Sequence, residues 1–269
     1  MSLDLKSGPL GRSPPASEVV AWGALSRQAS RITNYHAFAR FYDAVQGDGA
    51  ERAAFIRQLI ARHAPSASTV LELACGTGSI LEHLQADYEV TGLDTSAPML
   101  EVASVKLPEV RLVEADMTQF ELGERFDVVL CVYDSINHLL EYRQWEAVFD
   151  RADEHLDRGG IFLFDINTER RLAALSDLPP SVHWFGEGHL LVMKVQGNGD
   201  GGVVWSLRIF EHQGGDRYLL HSEDIREVSF PRRRIEESLR QRFRRVWAHD
   251  ERRQRATSAS GRIHFVAMK

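Results

Sequence analysis

The stretch Val70-Leu71-Glu72-Leu73-Ala74-Cys75-Gly76-Thr77-Gly78-Ser79-Ile80 constrains this chain more than any other. An apolar run ends in an acidic, glycine-bearing turn, and amphipathic residues follow at once. That is the pattern of a buried strand, a tight loop and a helix start. The glycines let backbone approach a ligand and let the chain turn without a Cβ clash. In an open α/β sheet such a loop lies at the carboxyl end of the first strand, where ligands bind. Three nucleotide-binding readings fail on inspection. A phosphate-cradling P-loop ends in Gly-Lys-Ser/Thr, and this loop has no lysine. A dinucleotide fingerprint wants a third glycine three residues after Gly78, where Leu81 stands. A kinase-type glycine loop needs its lysine and an Asp-Phe-Gly downstream, and neither is found. What remains is a carboxylate, Glu72, beside the glycine loop, which disfavours a phosphate and favours a cationic or polyhydroxyl ligand.

Further strand ends follow in order. Tyr88–Asp94 ends in an acid 22 residues beyond Glu72, the spacing at which a carboxylate reaches a ribose. Such a carboxylate accepts from both ribose hydroxyls, at roughly 1.5–3 kcal/mol for each charged hydrogen bond. Thr95 and Ser96 read as the cap of a helix through Pro98-Met99-Leu100. Val110–Ala115 ends at Asp116-Met117, where the acid can accept from an adenine exocyclic amine and the next backbone N–H can donate to the ring. Phe126–Val132 ends at Tyr133-Asp134-Ser135.

Taken in this order, the motifs resemble the class I S-adenosylmethionine-dependent methyltransferases. Glu72–Gly78 matches the family's first motif, Asp94 its ribose-binding acid and Asp116-Met117 its adenine-side motif. Phe126–Val132 matches the Phe-Asp-x-Val strand, and Gly159–Asp165 the strand after a Gly-Gly turn. The match covers about residues 35–175. The resemblance implies an α/β, Rossmann-like fold with a seven-stranded, mostly parallel sheet whose last strand is antiparallel. It implies S-adenosylmethionine as cofactor, with S-adenosylhomocysteine as product, held by Glu72, Ala74, Cys75, Gly76, Gly78, Asp94, Thr95, Met99, Asp116, Met117, Cys131 and Tyr133. Upstream, Tyr35, Phe38 and Tyr42 share one face of an expected helix ending at Asp43. Packing against the core accounts for that face. The resemblance adds a second role, because many small-molecule methyltransferases lay a Tyr-Asp helix over the cofactor, so Tyr35 and Tyr42 are also expected cofactor contacts.

With 269 residues, 43% of them apolar, the chain suits one large domain with a modest insertion. Residues 1–17, with Gly8-Pro9, Gly11 and Pro14-Pro15, read as a flexible leader, and helical patterning begins near Glu18. The main domain is expected over 18–180 and 231–269, with a lid over 181–230. Within the lid, 182–195, 203–212 and 217–229 read as strands separated by glycine-rich hairpin turns, giving a three-stranded antiparallel sheet inserted after strand five. A last helix is expected from Pro231 to about Arg242, then a final strand pair, Phe243–Ala248 and Arg262–Met268. The lid should sit over the strand carboxyl ends, where Trp184, Phe185, Trp205 and Phe210 either line a pocket or form the lid's own core. With this lid the chain is similar to stand-alone bacterial small-molecule methyltransferases, including the amino-sugar N,N-dimethyltransferases.

A net charge of −6 offers no basic field for nucleic acid. The arginine-rich stretch Arg232–Arg255 interleaves with Glu236, Glu237, Asp250 and Glu251, as a solvated face does. Two cysteines give no disulfide framework and point to a reducing, cytoplasmic setting. No run of ~18 apolar residues suggests a membrane span, and the N-terminus lacks an apolar signal core. A monomer and a homodimer fit equally well.

Methyl transfer from a sulfonium is an in-line displacement, so the protein mainly positions and desolvates the reactants; orientation contributes roughly 7–11 kcal/mol. A hydroxyl acceptor gains about 10²–10⁴-fold from a general base, whereas an amine needs only to be neutral. His138, following strand four, is the candidate base, with a loop or helix-cap role as its alternative; Tyr133 and Asn137 are candidate positioning groups. His63, His83 and His155 are expected on helix surfaces. No metal site is expected, although Asp134, Asp165 and Asn167 mimic part of the acid set of catechol-type relatives. The leading reading is therefore transfer to a small-molecule N or O nucleophile. Its rivals are a cofactor-binding regulatory protein of the same fold and an RNA or protein methyltransferase. Against the last, the position after strand four reads Val132-Tyr133-Asp134-Ser135 rather than Asn-Pro-Pro-Tyr or Asp-Pro-Pro-Tyr.

Overall fold

The computed structural model describes Tyr35 and residues 37–252 and 254–269; the expected leader and the helical patterning from Glu18 lie outside them. Helices α1 (Tyr42–Gln46) and α2 (Ala50–His63) lead into β1 (Thr69–Leu73), α3 (Ser79–Leu84), β2 (Glu89–Asp94), α4 (Ala97–Lys106), β3 (Arg111–Glu114) and β4 (Phe126–Cys131). Then come α5 (Tyr142–Glu154), β5 (Leu156–Asn167), α6 (Glu169–Ser176), lid strands β6 (Ser181–Phe185), β7 (His189–Gly197), β8 (Val203–His212) and β9 (Tyr218–Glu227), α7 (Arg232–Arg240), β10 (Arg245–Asp250) and β11 (Arg262–Met268). The main sheet has the order β10-β11-β5-β4-β1-β2-β3. β11 runs antiparallel to both neighbours, and the other pairings are parallel, as the resemblance implies.

The sheet is buried on both faces, which is why its central strands read as unbroken apolar runs. Alternate residues feed two cores. Leu71, Val129, Phe162, Phe164 and Phe265 pack with Trp145, Val148 and Phe149 of α5 and Ile235 and Leu239 of α7. Val70, Val128, Leu130, Leu163 and Val266 pack with Ile56 and Ile60 of α2 and Ile80 and Leu84 of α3. Helix α5 starts at a reciprocal cap between Glu141 and Gln144, and its apolar stripe buries Trp145 completely. The Trp145 indole N–H donates to the Leu139 carbonyl at 2.8 Å, fixing the loop after β4 to this core.

The lid has four strands, not three, in the order β6-β7-β8-β9. The expected first strand is broken by Gly186-Glu187-Gly188, whose glycines sit at φ +52° and +88°, values that only glycine adopts without strain. Leu191, Leu207, Ile209 and Ile225 of its inner face pack on Phe38 and Phe41. Phe210, next to Ile209, alternates to the opposite face and takes no part in this contact. The expected Tyr35–Asp43 helix is a short 3₁₀ turn, Ala39–Phe41, followed by α1, which ends at Gly47. Tyr35, Phe38 and Tyr42 still meet, with ring centroids 5.6–6.1 Å apart. Pro231 caps α7 from outside, and that helix stops at Arg240.

His155 is buried rather than on the surface: its Nδ1–H donates to the Arg151 carbonyl at 2.8 Å, and Nε2 accepts from the Leu122 N–H at 3.1 Å. His63 is half-buried with its ring 4.5 Å from that of Trp247. Within the arginine-rich stretch, Arg232 and Arg240 pair with Glu236, Arg233 with Glu237 and Arg242 with Asp150. No helix among the described residues is long and apolar enough to cross a membrane.

Trp145 joins the α5 stripe to the loop carrying His138, so Trp145→Ala should lower unfolding free energy by about 3–5 kcal/mol. Urea denaturation measures this; a loss under about 1 kcal/mol would show that the helix is anchored elsewhere.

Candidate active site

The glycine loop leaves β1 through Ala74 at φ +53°, Gly76 at +54° and Gly78 at +73°. Gly78 packs its bare backbone on Leu107, where a Cβ would come within 2.6 Å of that side chain. Asp94, at the end of β2, ties the loop down: Oδ2 accepts from the Gly76 N–H and Oδ1 from the Ser96 N–H, both at 2.8 Å. Burial pushes its carboxyl above the usual range, and the N–H groups of Ser96, Gly76 and Thr95 pull it back in part. This backbone bond replaces the expected Thr95 or Ser96 side-chain cap of α4. The Ser96 hydroxyl is left buried without a protein partner.

Above the loop, Asp43 pins α1 in place. Its carboxylate accepts from the Thr77 hydroxyl at 2.5 Å and from Lys106 Nζ at 2.7 Å. The rings of Tyr35 and Tyr42 are thereby held over the strand ends. Tyr35 (φ +59°), Ala74, Tyr133 (φ +58°) and Asp134 (φ +54°) are the described non-glycine residues with positive φ, and all four border this region.

A cavity of about 300 Å³ results. Of the expected cofactor contacts, Tyr35, Tyr42, Ala74, Gly76, Asp94, Thr95, Met99, Asp116, Met117 and Tyr133 line it, as does His138. Glu72, Cys75, Gly78 and Cys131 do not. Cys131 is fully buried with its thiol 3.9 Å from Met117 Sδ, and Cys75 packs in the core on the other side of the sheet. Glu72 lies buried beneath the loop; burial and then Asp94 push its carboxyl well up, and Oε2 has no protein partner. Sequence reading missed Ser96, Leu139 and Leu140, and it missed Ile225 and Arg226, which the lid brings in from far along the chain.

His138 is held from both sides. Nδ1 lies 3.3 Å from the Arg226 carbonyl, which can only accept, so this nitrogen carries the proton. Nε2 then accepts from the Tyr35 hydroxyl, also at 3.3 Å. Burial lowers the imidazole's pKa below its usual value, against the opposing pull of Asp134. Asn137 is fully buried and structural: its amide donates to the carbonyls of Asn167 at 3.0 Å and Val228 at 2.7 Å, and its oxygen accepts from the Asn167 N–H at 3.0 Å.

A second cavity of about 490 Å³ lies under the lid and shares Tyr35, Tyr42, Tyr133 and Ile225 with the first. Phe185, Trp184 and Trp205 line it; Phe210 does not. At its floor Arg262 bridges Asp134, at 2.6 Å, and Asp165. Arg52 adds a second contact to Asp165 at 3.1 Å. Burial opposes ionisation of Asp165, but Arg262, Arg52 and His264 outweigh it and hold its carboxyl at about 2. A guanidinium thus stands between the acids that mimic a metal set, and no group of three or more metal-ligating side chains occurs among the described residues.

Residues 70–160 match the methyltransferase domain family. The dTDP-3-amino-3,6-dideoxy-alpha-D-glucopyranose N,N-dimethyltransferase of Streptomyces fradiae is 38% identical over 132 residues, 47% of this chain and 52% of that protein. The dTDP-3-amino-3,4,6-trideoxy-alpha-D-glucopyranose N,N-dimethyltransferase of Streptomyces venezuelae is 34% identical over 46% of this chain and 53% of its own length. The chain thus spans about half the length of these curated relatives. An S-adenosylmethionine-dependent methyltransferase from Clostridium acetobutylicum superposes with a TM-score of 0.75 at 23% identity, covering 88% of this chain and 99% of that one. The sugar N-methyltransferase KedS8 from Streptoalloteichus gives 0.70 at 22% identity, covering 99% and 100%. The fold is that of the class I methyltransferases, and residues 70–160 match the methyltransferase domain family within it.

Glu72 yields a stability test. An unfolded glutamate ionises near 4.5, whereas folded Glu72 holds its proton well above that, so rising pH from about 4.5 favours the unfolded chain. Glu72→Gln should therefore raise the ligand-free Tm at pH 7 and leave it unchanged below pH 4. Thermal scans at the two pH values check this, and an equal change at both would assign the effect to packing instead.

Proposed function

We propose that this chain is a cytoplasmic S-adenosylmethionine-dependent methyltransferase that methylates the nitrogen of a small molecule. One observation carries the reading: Asp94, Asp116-Met117, the glycine loop and Tyr35 converge on a single cavity in the family's motif order. The residues fit the cofactor. The cavity wall offers an unpartnered Ser96 hydroxyl to a ligand. The names of the amino-sugar relatives support nitrogen over oxygen.

When bound, S-adenosylmethionine supplies an electrophilic methyl on a sulfonium. In this reading Asp94 accepts from the ribose hydroxyls, while Asp116 and the Met117 N–H take the adenine edge. Asp116 Oδ1 is already occupied by Thr118, at 2.8 Å from its N–H and 2.7 Å from its hydroxyl, which leaves Oδ2 for the ligand. Tyr35 and Tyr42 close the other end and exclude water from the junction with the second cavity, through which the acceptor enters. The Nε2 lone pair of His138 accepts from the Tyr35 hydroxyl, so the proton that the nitrogen sheds on methylation can pass to Tyr35 as Tyr35 gives its own to His138. Free, buried thiols at Cys75 and Cys131 suit a reducing compartment.

Asp94→Ala should weaken S-adenosylhomocysteine binding by about 2 kcal/mol or more; unchanged affinity in calorimetry would remove the ribose assignment. His138→Gln should bind S-adenosylhomocysteine normally yet slow turnover, because the proton shed on methylation loses its acceptor. In the wild type, dTDP-3-amino-3,6-dideoxy-α-D-glucopyranose is the first acceptor to try. Its kcat/KM should fall with acid only below the usual imidazole range, on a limb absent from the variant. A full-rate variant would demote His138 to a support for Tyr35.

A further inference from the structure

We propose that the acceptor enters as an ammonium and is recognised at the floor of the second cavity by three groups: the carboxyls of Asp134 and Glu227 and the carboxamide oxygen of Asn167. The proposal rests on the methyltransferase reading and names its substrate class.

Glu227 is the last residue of β9, so the lid itself delivers it to the strand ends, where it is 4% exposed. Asn167, at the end of β5, is 2% exposed. Its side-chain NH₂ donates to Asp134 Oδ2 at 2.7 Å and to Glu227 Oε2 at 3.2 Å. The opposite amide orientation would set an oxygen against two carboxyls, so the bonding pattern fixes this one. Both amide hydrogens are thereby used, and Oδ1 is left buried with no protein partner on a residue that lines the cavity. A buried acceptor of this kind is costly unless a ligand donor meets it.

The charges facing this point select the ligand's sign. From β11, Arg262 is already shared between Asp134 and Asp165, and at the rim Arg171 Nη1 pairs with Glu251 at 2.9 Å. Tyr35 comes from the entrance segment and Asp134 from the loop after β4. A carboxylate or phosphate would meet acids here, and the guanidiniums that line the cavity are already committed, Arg262 to Asp134 and Asp165 and Arg171 through Nη1 to Glu251, with Arg171 Nε left unpartnered. A hydroxyl brings a single donor, whereas an alkylammonium brings three, one for each acceptor. Burial, then Asp134, pushes the Glu227 carboxyl up to about 8, while Asn167 and Arg262 pull against this. The empty site therefore keeps a proton at neutral pH, and an arriving ammonium displaces it; one ammonium proton then passes to the Glu227 carboxylate, which frees the nitrogen lone pair for methyl transfer.

The test is calorimetry on the full chain saturated with S-adenosylhomocysteine at pH 7, in two buffers of different ionisation enthalpy. The probes are amine and alcohol pairs: dTDP-3-amino-3,6-dideoxy-α-D-glucopyranose with its 3-hydroxy counterpart, and cyclohexylamine with cyclohexanol. At least one amine should bind about tenfold tighter than its alcohol or better, releasing about one proton. In Glu227→Gln both the preference and the proton release should vanish while S-adenosylhomocysteine affinity stays within about twofold. Glu227→Asp, which keeps the acid, should retain part of each. If S-adenosylhomocysteine binds but no amine outdoes its alcohol, or if Glu227→Gln keeps the full preference, the proposal is overturned. If wild-type protein fails to bind S-adenosylhomocysteine, it is the methyltransferase reading that falls.

Discussion

Parallel pairing of β1 through β5 is the constraint on which everything else here depends. Strands that run the same way end at the same edge. The residues at or just past their ends, Ala74, Asp94, Asp116, Tyr133 and Asn167, are therefore gathered from nearly a hundred positions of sequence along one rim. Helices on both faces leave that rim as the place where polar groups can meet a ligand without disturbing the core.

The rim is costly to build, and the cost is concentrated there. Four non-glycine residues with left-handed backbone, a buried Glu72 without a partner, and the crowded acids Asp134, Asp165 and Glu227 all border the two cavities or lie beneath them. Arg262 and Arg52 offset part of this by holding Asp165 ionised, and Asp94 ties the glycine loop to the end of β2 through the Gly76 N–H. What is left unsatisfied beside the cavities is mixed: the oxygens of Glu72, Ser96 and Asn167, and the donors Trp205 Nε1 and Arg171 Nε.

The order of strand-end motifs was legible in the sequence because each is local: an apolar run, then glycine or an acid at fixed spacing. The first cavity consequently holds ten of the fourteen residues expected to touch cofactor. The misses have plain causes. Cys75 and Cys131 sit next to the right positions, but side-chain alternation turns them into the core. The break at Gly186-Glu187-Gly188 was hidden inside a run whose flanks are both strand-like. Ile225, Arg226 and Glu227 belong to a hairpin whose register against the sheet no local pattern reports. Nor does any local pattern pair Arg262 with Asp134 across more than a hundred residues. His138 was visible as a candidate, but its tautomer depends on the lid carbonyl of Arg226.

The central claim is that the first cavity is a site for S-adenosylmethionine, and calorimetric titration tests it most directly. One-to-one binding of S-adenosylmethionine and S-adenosylhomocysteine at ~micromolar Kd, with NAD and ATP giving no heat, is the predicted result. No binding of either sulfur compound, or comparable binding of NAD or ATP, would contradict it.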